Sequence, residues 1–98
     1  MYRVVPSKQY RKSLKKILAG GKVKILEIDQ VIDMLCRLDS LPGKYRDHAL
    51  AGDYIGYREC HIRPNVLLIY KKERNILFLM LRNIGRHPEL FGYTNIVV

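Results

Sequence analysis

The chain has few cysteines and no long hydrophobic run. Its two cysteines, Cys36 and Cys60, cannot build a disulfide framework and lack the spacing of a zinc site, so we expect two ordinary buried or half-buried thiols. The longest apolar stretches, NVLLIY and NILFLML, are too short to cross a bilayer. The N-terminus MYRVVPSK lacks the apolar region of a secretion signal. These absences predict a cytoplasmic protein that does not require a membrane.

The sequence also lacks the short motifs of several enzyme classes. It has no glycine-rich phosphate loop, no His-Glu-x-x-His zinc helix and no Gly-x-Ser-x-Gly elbow. A cysteine nucleophile at Cys60 with the adjacent His61 is disfavoured, because neighbours on a strand point to opposite faces. We therefore expect chemistry without a metal ion and without a small-molecule cofactor.

Acidic residues are scarce, since nine Asp and Glu accompany 18 Lys and Arg and give a formal net charge of +9. So large an excess on a small body attracts polyanions, and nucleic acid or an acidic protein is the expected partner. A basic surface that only keeps the protein soluble is the alternative. Residues 1–24 hold eight Lys or Arg and no acid, whereas residues 25–42 hold four acids and one Arg. The first segment is therefore the better candidate for phosphate contacts.

The first half of the chain predicts a strand and two helices. The opening YRVV has strand composition, and Ser7 can cap a helix over residues 7–19. The buried stripe of this helix would consist of Tyr10, Leu14, Ile17 and Leu18. Its cationic outer face would include Lys12, Lys15 and Lys16. A second apolar series at three- and four-residue intervals predicts a helix over residues 24–39, and the short Gly-Gly link makes the pair a helical hairpin.

The second half predicts strands. YIGYRECHI, NVLLIYKK and NILFLMLR are β-rich runs separated by connections short enough for hairpins. The length of 98 residues fits one domain, residues 1–98. The predicted fold class is α+β, in which an N-terminal strand and a two-helix hairpin pack on a small, mainly antiparallel sheet.

Three histidines are the candidate chemical groups. Strand alternation places Tyr57, Glu59 and His61 on one face, and Arg58, Cys60 and Ile62 on the other. The ends of the first and third strands of an antiparallel meander lie at the same edge, so His61 and His87 can approach each other. Nothing in the sequence places His48 with them. Taken singly, each histidine is more often structural than catalytic.

Together these residues suggest RNA cleavage without a metal ion. A base takes the proton of the 2′-hydroxyl, an acid protonates the leaving 5′-oxygen, and cations hold the phosphate. Histidine suits both proton transfers because its ordinary pKa is about 6.5. Arginine suits the phosphate, and the candidates are Arg58, Arg82 and Arg86. Phe91 or Tyr93 could stack on an unpaired base.

The segment LPGKYRDHALAGDYIGYRECHIRPNVLLIYKK, followed by LRNIGRHPELFG, resembles the YafQ-like branch of the RelE superfamily of bacterial toxins. The Asp-His, Gly-Tyr-Arg-x-x-His, Leu-Leu-Ile-Tyr and His-x-x-Leu-Phe elements occur in the order of that family. The resemblance runs from about Leu41 to Gly92.

This resemblance implies the toxin of a type II toxin-antitoxin system, a ribosome-dependent endoribonuclease that cleaves mRNA and arrests translation. It also implies a cognate antitoxin that blocks the RNA surface, functional roles for His48, His61 and His87, and Phe91 as the C-terminal aromatic. Relatives commonly carry an acidic residue and a tryptophan where this chain has Asn65 and Val66. Asn65 can hydrogen-bond to RNA but cannot act as a base.

Three hypotheses follow from these observations. The leading one is the translation-inhibiting endoribonuclease. The second is a non-catalytic RNA- or ribosome-binding module, which the basic helix and the aromatic tail would support without proton transfer. The third is a structural partner of an acidic peptide, with the cations serving that interface.

Overall fold

The chain folds into a five-stranded sheet with two helices on one face. The computed structural model describes residues 1–91. In chain order the elements are β1 (Arg3–Pro6), α1 (Lys8–Ala19), α2 (Ile25–Arg37), β2 (His48–Ala49), β3 (Arg58–Arg63), β4 (Val66–Glu73), β5 (Phe78–Gly85) and α3 (His87–Phe91). Single turns of 3-10 helix, Gly43–Tyr45 and Gly52–Tyr54, lie on either side of β2.

The strands are arranged in the order β1-β5-β4-β3-β2. β1 runs parallel to β5, and the other pairs are antiparallel. The predicted α+β fold with a mainly antiparallel sheet is therefore confirmed. His48, which the sequence did not place with the other histidines, belongs to the short strand β2. Within residues 1–91, no helix has both the length and the apolar character needed to cross a membrane.

The predicted cap of α1 is confirmed and also ties the helix to the sheet. Ser7 Oγ accepts a hydrogen bond from the backbone N–H of Tyr10 at 2.9 Å and donates one to the Arg82 carbonyl at 2.8 Å. Tyr10 is buried and the rest of the predicted stripe is half-buried against the core. The lysines of α1 are exposed, as predicted.

The two faces of the sheet are covered unequally. The main core lies between the sheet and both helices, and it includes Tyr10, Ile28, Val31, Leu35, Cys60, Leu68, Tyr70, Leu79, Leu81 and Ile84. The opposite face carries a smaller cluster, formed by Leu50, Leu67, Ile69, Leu90 and Phe91 with Tyr54 and Tyr57 packed against it. This second face also carries the polar side chains described next, and we call it the histidine face.

Candidate active site

Two of the three histidines meet around a buried glutamate. β2 pairs with β3 so that His48 lies opposite Glu59, and His61 follows Glu59 by two residues on the same face. Glu59 Oε1 lies 3.5 Å from His48 Nε2 and 3.3 Å from His61 Nε2, and the two imidazole centroids are 6.3 Å apart. The sequence predicted the shared face of Glu59 and His61, but it did not identify Glu59 as a site residue. We call these three residues the His-Glu-His cluster.

Backbone carbonyls determine where each of the two rings carries its hydrogen. His48 Nδ1 lies 2.8 Å from the Arg46 carbonyl oxygen, and His61 Nδ1 lies 3.3 Å from the Pro64 carbonyl oxygen. Because a carbonyl oxygen only accepts hydrogen bonds, each Nδ1 carries a hydrogen and each Nε2 faces Glu59. Arg46 has a left-handed backbone with φ of 50°. That conformation costs an L-residue about 1–2 kcal/mol, and strain of this kind concentrates at functional sites.

Glu59 is unusual because it is an acidic residue buried against an apolar strand. It is 1% exposed and lies opposite Ile69 on β4. Among the described residues, Glu59 Oε2 and His48 Nε2 are buried without a hydrogen-bond partner. Buried polar groups are normally paired, and an exception calls for a functional explanation. The His-Glu-His cluster is therefore the centre of the candidate site.

His87 lies at the same end of the sheet as the cluster. His61 pairs with Leu67 across β3 and β4, and Leu67 pairs with Gly85 on β5. The chain thus enters α3 two strands, or about 10 Å, from His61. His87 packs against Phe91 with ring centroids 4.9 Å apart, and within residues 1–91 no ring contact joins it to the other two histidines. The predicted proximity of His87 and His61 is therefore limited to a shared end of the sheet, and the two rings do not touch.

Glu89 positions the turn that carries His87. Its Oε1 accepts a hydrogen bond from the Arg86 backbone N–H at 2.8 Å, and its Oε2 lies 3.8 Å from Lys16 Nζ. The backbone hydrogen bond from Arg86 lowers the pKa of Glu89 below its ordinary value. His87 itself begins the short helix α3.

Arg82 shares the histidine face because of an irregularity in β5. Tyr70 pairs with Leu81 and the preceding Ile69 pairs with Asn83, so Arg82 is an extra residue between two ladder positions. Such a bulge redirects a side chain. The Arg82 guanidinium carbon lies 5.8 Å from the centre of the Tyr54 ring, which belongs to the cluster of apolar residues on this face. Arg86 is exposed at the start of α3.

Arg58 points to the other face of the sheet. Its partner across the ladder is Tyr70, which is part of the helix-side core. Arg58 Nη2 lies 3.1 Å from Asp47 Oδ2, and the same carboxylate accepts a hydrogen bond from the Tyr70 hydroxyl. The predicted face of Arg58 is confirmed, and this placement argues against its predicted phosphate role, because the side chain points away from the histidines and pairs with Asp47. Arg58 is a structural residue of the helix side.

The remaining predicted RNA contacts are distributed around the site. Lys12 and Lys16 line a cavity of about 220 Å³ between α1 and the end of β5. Lys15 is exposed on the same helix, and Asn65 is exposed in the turn between β3 and β4. Phe91 is only 7% exposed and packs edge-to-face on Tyr54 at 5.5 Å, so its ring offers no open face to a base. Tyr93, the alternative stacking residue, and the tail YTNIVV lie outside the described residues.

The two cysteines are buried, as predicted. Cys60 is 0% exposed, and burial raises the pKa of its thiol well above the ordinary value. A thiolate nucleophile is therefore strongly disfavoured at this position.

Comparison with known proteins gives a consistent family. Residues 2–92 match the profile of a family described as "Bacterial toxin of type II toxin-antitoxin system, YafQ". The mRNA interferase toxin YafQ of Escherichia coli strain K12 is 42% identical over 52 residues, which cover 53% of this chain and 54% of that protein. A putative toxin YafQ of Haemophilus influenzae is 34% identical over 71 residues, which cover 70% of each. The match to the E. coli relative thus spans about half of its length.

Solved structures resemble nearly the whole chain. YafQ from E. coli strain BL21(DE3) has a TM-score of 0.85 and 28% identity, covering 94% of this chain and 100% of that one. A copper-bound mutant toxin from Helicobacter pylori has a TM-score of 0.84 and 33% identity, covering 93% and 100%. The E. coli DinJ-YafQ complex contains a chain with a TM-score of 0.80 and 28% identity, covering 94% and 100%. The described fold is therefore the fold of these toxins.

Proposed function

The chain belongs to the YafQ family of bacterial toxins of type II toxin-antitoxin systems, and from this premise we propose that it is an endoribonuclease. The proposed substrate is messenger RNA on the ribosome, and the result of cleavage is inhibition of translation. The observation that supports this proposal most directly is the His-Glu-His cluster beside the edge where His87 begins α3. The His-Glu-His cluster and His87, which can both carry protons, are thus separated by about the width of two strands.

The proposed reaction is an attack of the RNA 2′-oxygen on the adjacent phosphorus. The 2′-oxygen to phosphorus bond forms and the bond from phosphorus to the 5′-oxygen breaks. A member of the His-Glu-His cluster takes the 2′-hydroxyl proton, and His87 supplies the proton that the 5′-oxygen requires. Arg82, half-buried on the same face, stabilises the charge that develops on the phosphate oxygens. These steps require no metal ion.

Glu59 supplies a carboxylate to a site in which Asn65 stands where related toxins commonly have an acidic residue. A neutral amide at Asn65 can bind RNA but cannot take a proton. Glu59 places a carboxylate inside the cluster itself, where its Oε1 meets both imidazoles. The site therefore holds a carboxylate even though the turn between β3 and β4 does not.

The proposed RNA path extends from the histidine face to the start of α1. Arg86 is exposed beside His87, and Lys16 reaches the same short helix through Glu89 at 3.8 Å. Lys12 and Lys15 continue this positive surface along α1, where backbone phosphates would release counterions on binding. Phe91 supports this site by packing under His87 rather than by stacking on a base.

The proposed protein partner is a cognate antitoxin. The similar E. coli toxin is found with DinJ in the DinJ-YafQ complex. A net charge of +9 favours an acidic segment of such a partner. Because the proposed target is the translating ribosome, the proposed location is the cytoplasm.

A cell-free translation reaction with primer-extension mapping of the message tests the enzyme. The wild type should give site-specific cuts, and His87→Gln and His61→Gln should abolish them. Arg82→Ala should slow cleavage about 100-fold, as the loss of a transition-state donor does. Arg37→Ala is the matched control, because Arg37 pairs with Asp33 on the exposed side of α2, and it should cleave normally. Arrest without new RNA ends would instead identify a ribosome-binding module.

A further inference from the structure

The histidine face carries a small cavity at the end of the sheet away from His61. Its volume is about 90 Å³, and its lining includes Val5, Pro6, Tyr57, Met80, Leu81 and Arg82. Strand pairing brings these residues together, because Met80 of β5 pairs with Val5 of β1 on one side and with Lys71 of β4 on the other. Tyr57, which directly precedes β3, continues this row on the face that it shares with His61. We call this cavity the Tyr57 slot.

The Tyr57 slot has mostly apolar walls and two cations beside it. Aliphatic side chains and the Tyr57 ring form most of its lining, and the Ser7 hydroxyl is already engaged as the cap of α1. Arg82 belongs to the lining, and Lys71 Nζ lies 5.6 Å from the centre of the Tyr57 ring. Lys71 also forms a half-exposed ion pair with Glu73 at 3.1 Å, which a phosphate can replace because exposed pairs contribute little. A flat ring joined to an anion matches both the walls and the charges of the slot.

We propose that the Tyr57 slot binds one unpaired base of the RNA strand, which stacks on the Tyr57 ring while Lys71 binds the neighbouring phosphate. Aromatic side chains stack on unpaired bases in this way, and positively charged residues beside them follow the backbone. The inference rests on the proposed function, because it assigns a further contact to the same RNA. Tyr57 is a substrate-binding residue in this scheme and takes no part in proton transfer.

The slot lies close enough to the His-Glu-His cluster to hold a nucleotide near the cut. At about 3.3 Å per residue, Tyr57 lies about 7 Å from Glu59 and about 13 Å from His61 along the strand. Arg82 lies between these positions, because its bulge interrupts the pairing of β4 with β5 there and its side chain also lines the slot. Arg82 can therefore contact the scissile phosphate while the adjacent slot holds a base, and the two contacts together fix where the strand lies on the histidine face.

Tyr57 suits base stacking better than the other aromatic residues of this face. Phe91 is only 7% exposed. The Tyr54 ring has the Phe91 ring at 5.5 Å, the Tyr57 ring at 6.4 Å and the Arg82 guanidinium carbon at 5.8 Å, so its surroundings are already occupied. Tyr57 by contrast lines a volume several times the space that one water needs, which is room for a flat ring. The slot should accept any base, because stacking depends little on sequence.

A short 2′-O-methyl RNA whose single base is 2-aminopurine tests the slot without cleavage, since it lacks the attacking hydroxyl. The fluorescence of 2-aminopurine falls when the base stacks, so the wild-type protein should quench it at low salt. Tyr57→Leu should remove the quenching and weaken binding by at least about fivefold, whereas Tyr57→Phe should keep both. The same RNA without its base should bind the wild type and Tyr57→Leu equally.

Tyr2→Leu is the matched control. Tyr2 packs against the core on the helix side, and Lys72 Nζ lies 5.1 Å from the centre of its ring, so it repeats the tyrosine-lysine pair on the opposite face. This variant should quench and bind like the wild type. Quenching that survives in Tyr57→Leu, or an equal loss in Tyr2→Leu, would overturn the slot. Circular dichroism establishes that each variant is folded.

A measurement on the wild type keeps the test independent of folding defects. In NMR spectra, the ring protons of Tyr57 and the methyl group of Met80 should shift when the 2-aminopurine RNA is added, and the ring protons of Tyr2 should not. Shifts confined to other aromatic rings would refute the assignment of the base to Tyr57.

The contribution of the slot to cleavage is read separately in the cell-free assay. Tyr57→Leu should raise the toxin concentration that gives half-maximal cutting by at least about fivefold, with a smaller change in the maximal rate. A lower maximal rate at an unchanged half-maximal concentration would contradict a role of Tyr57 in binding. If the wild type never cuts, the proposed function fails, while the fluorescence titration still decides the slot.

Discussion

The buried glutamate of the site should lower the stability of the fold. Glu59 is 1% exposed, lies opposite Ile69, and has an Oε2 without a hydrogen-bond partner. A buried acceptor left unpaired costs about 1–3 kcal/mol. Glu59→Leu fills a similar volume with apolar atoms and removes this cost, so it should raise the free energy of unfolding by about 1–3 kcal/mol. For a chain of this size each kcal/mol raises the melting temperature by about 4–8 °C.

Urea denaturation measures this gain. Glu73→Leu is the control, since Glu73 lies at the end of β4 in a half-exposed pair with Lys71 and should change stability by less than about 0.5 kcal/mol. The Glu59→Leu variant should also lose all cleavage. A loss of more than about 1 kcal/mol in Glu59→Leu would refute the reasoning, because the carboxylate would then be a stabilising partner of charged imidazoles.

Three further predictions concern the surroundings of the site. Glu89→Ala should lower the free energy of opening of α3 by about 1 kcal/mol, measured by amide exchange, and should slow cleavage, measured by primer extension. The pKa of Glu89 is lowered in the folded state, so its stabilising effect is present at neutral pH and should disappear as the pH falls below the ordinary value of 4.5. Arg58→Ala should lower stability in urea by about 1–2 kcal/mol, because Asp47 loses its charged partner and keeps only the Tyr70 hydroxyl, and cleavage per folded molecule should be unchanged. Replacing Lys12 and Lys16 by Ala should make the slope of log binding constant against log salt concentration shallower by about 1.4, measured by filter binding of RNA. An unchanged slope would show that α1 does not contact RNA.

Local signals predicted most of the fold. The Ser7 cap, the apolar stripe of α1 and the β-rich runs each depend on neighbours within a few residues, and the structure confirms them. The position of β1 beside β5 was not predictable, because parallel pairing joins Arg3 to Phe78 across most of the chain. The strand β2 is two residues long, which leaves no period to detect.

The site was predictable only where it follows strand alternation. Alternation placed Glu59 with His61, and it also placed Arg58 on the opposite face, which was enough to question its phosphate role. His48 joins the cluster through its pairing with Glu59, and that register depends on tertiary structure. Phe91 looked like an exposed aromatic, but its burial depends on Tyr54 from a distant segment.

The unequal covering of the sheet explains how a small chain can carry this site. α1 and α2 bury one face, so the fold obtains its core there and needs little from the other face. Among residues 1–91, the apolar cluster on the histidine face takes its cover from residues 50–57 and from α3, and His48 and His61 stay partly exposed beside it. Backbone pairing of β2, β3, β4 and β5 sets the spacing between the His-Glu-His cluster and His87. Side-chain changes on this face should therefore alter the chemistry while the sheet keeps its register, because the register is held by main-chain hydrogen bonds and by the core on the far side.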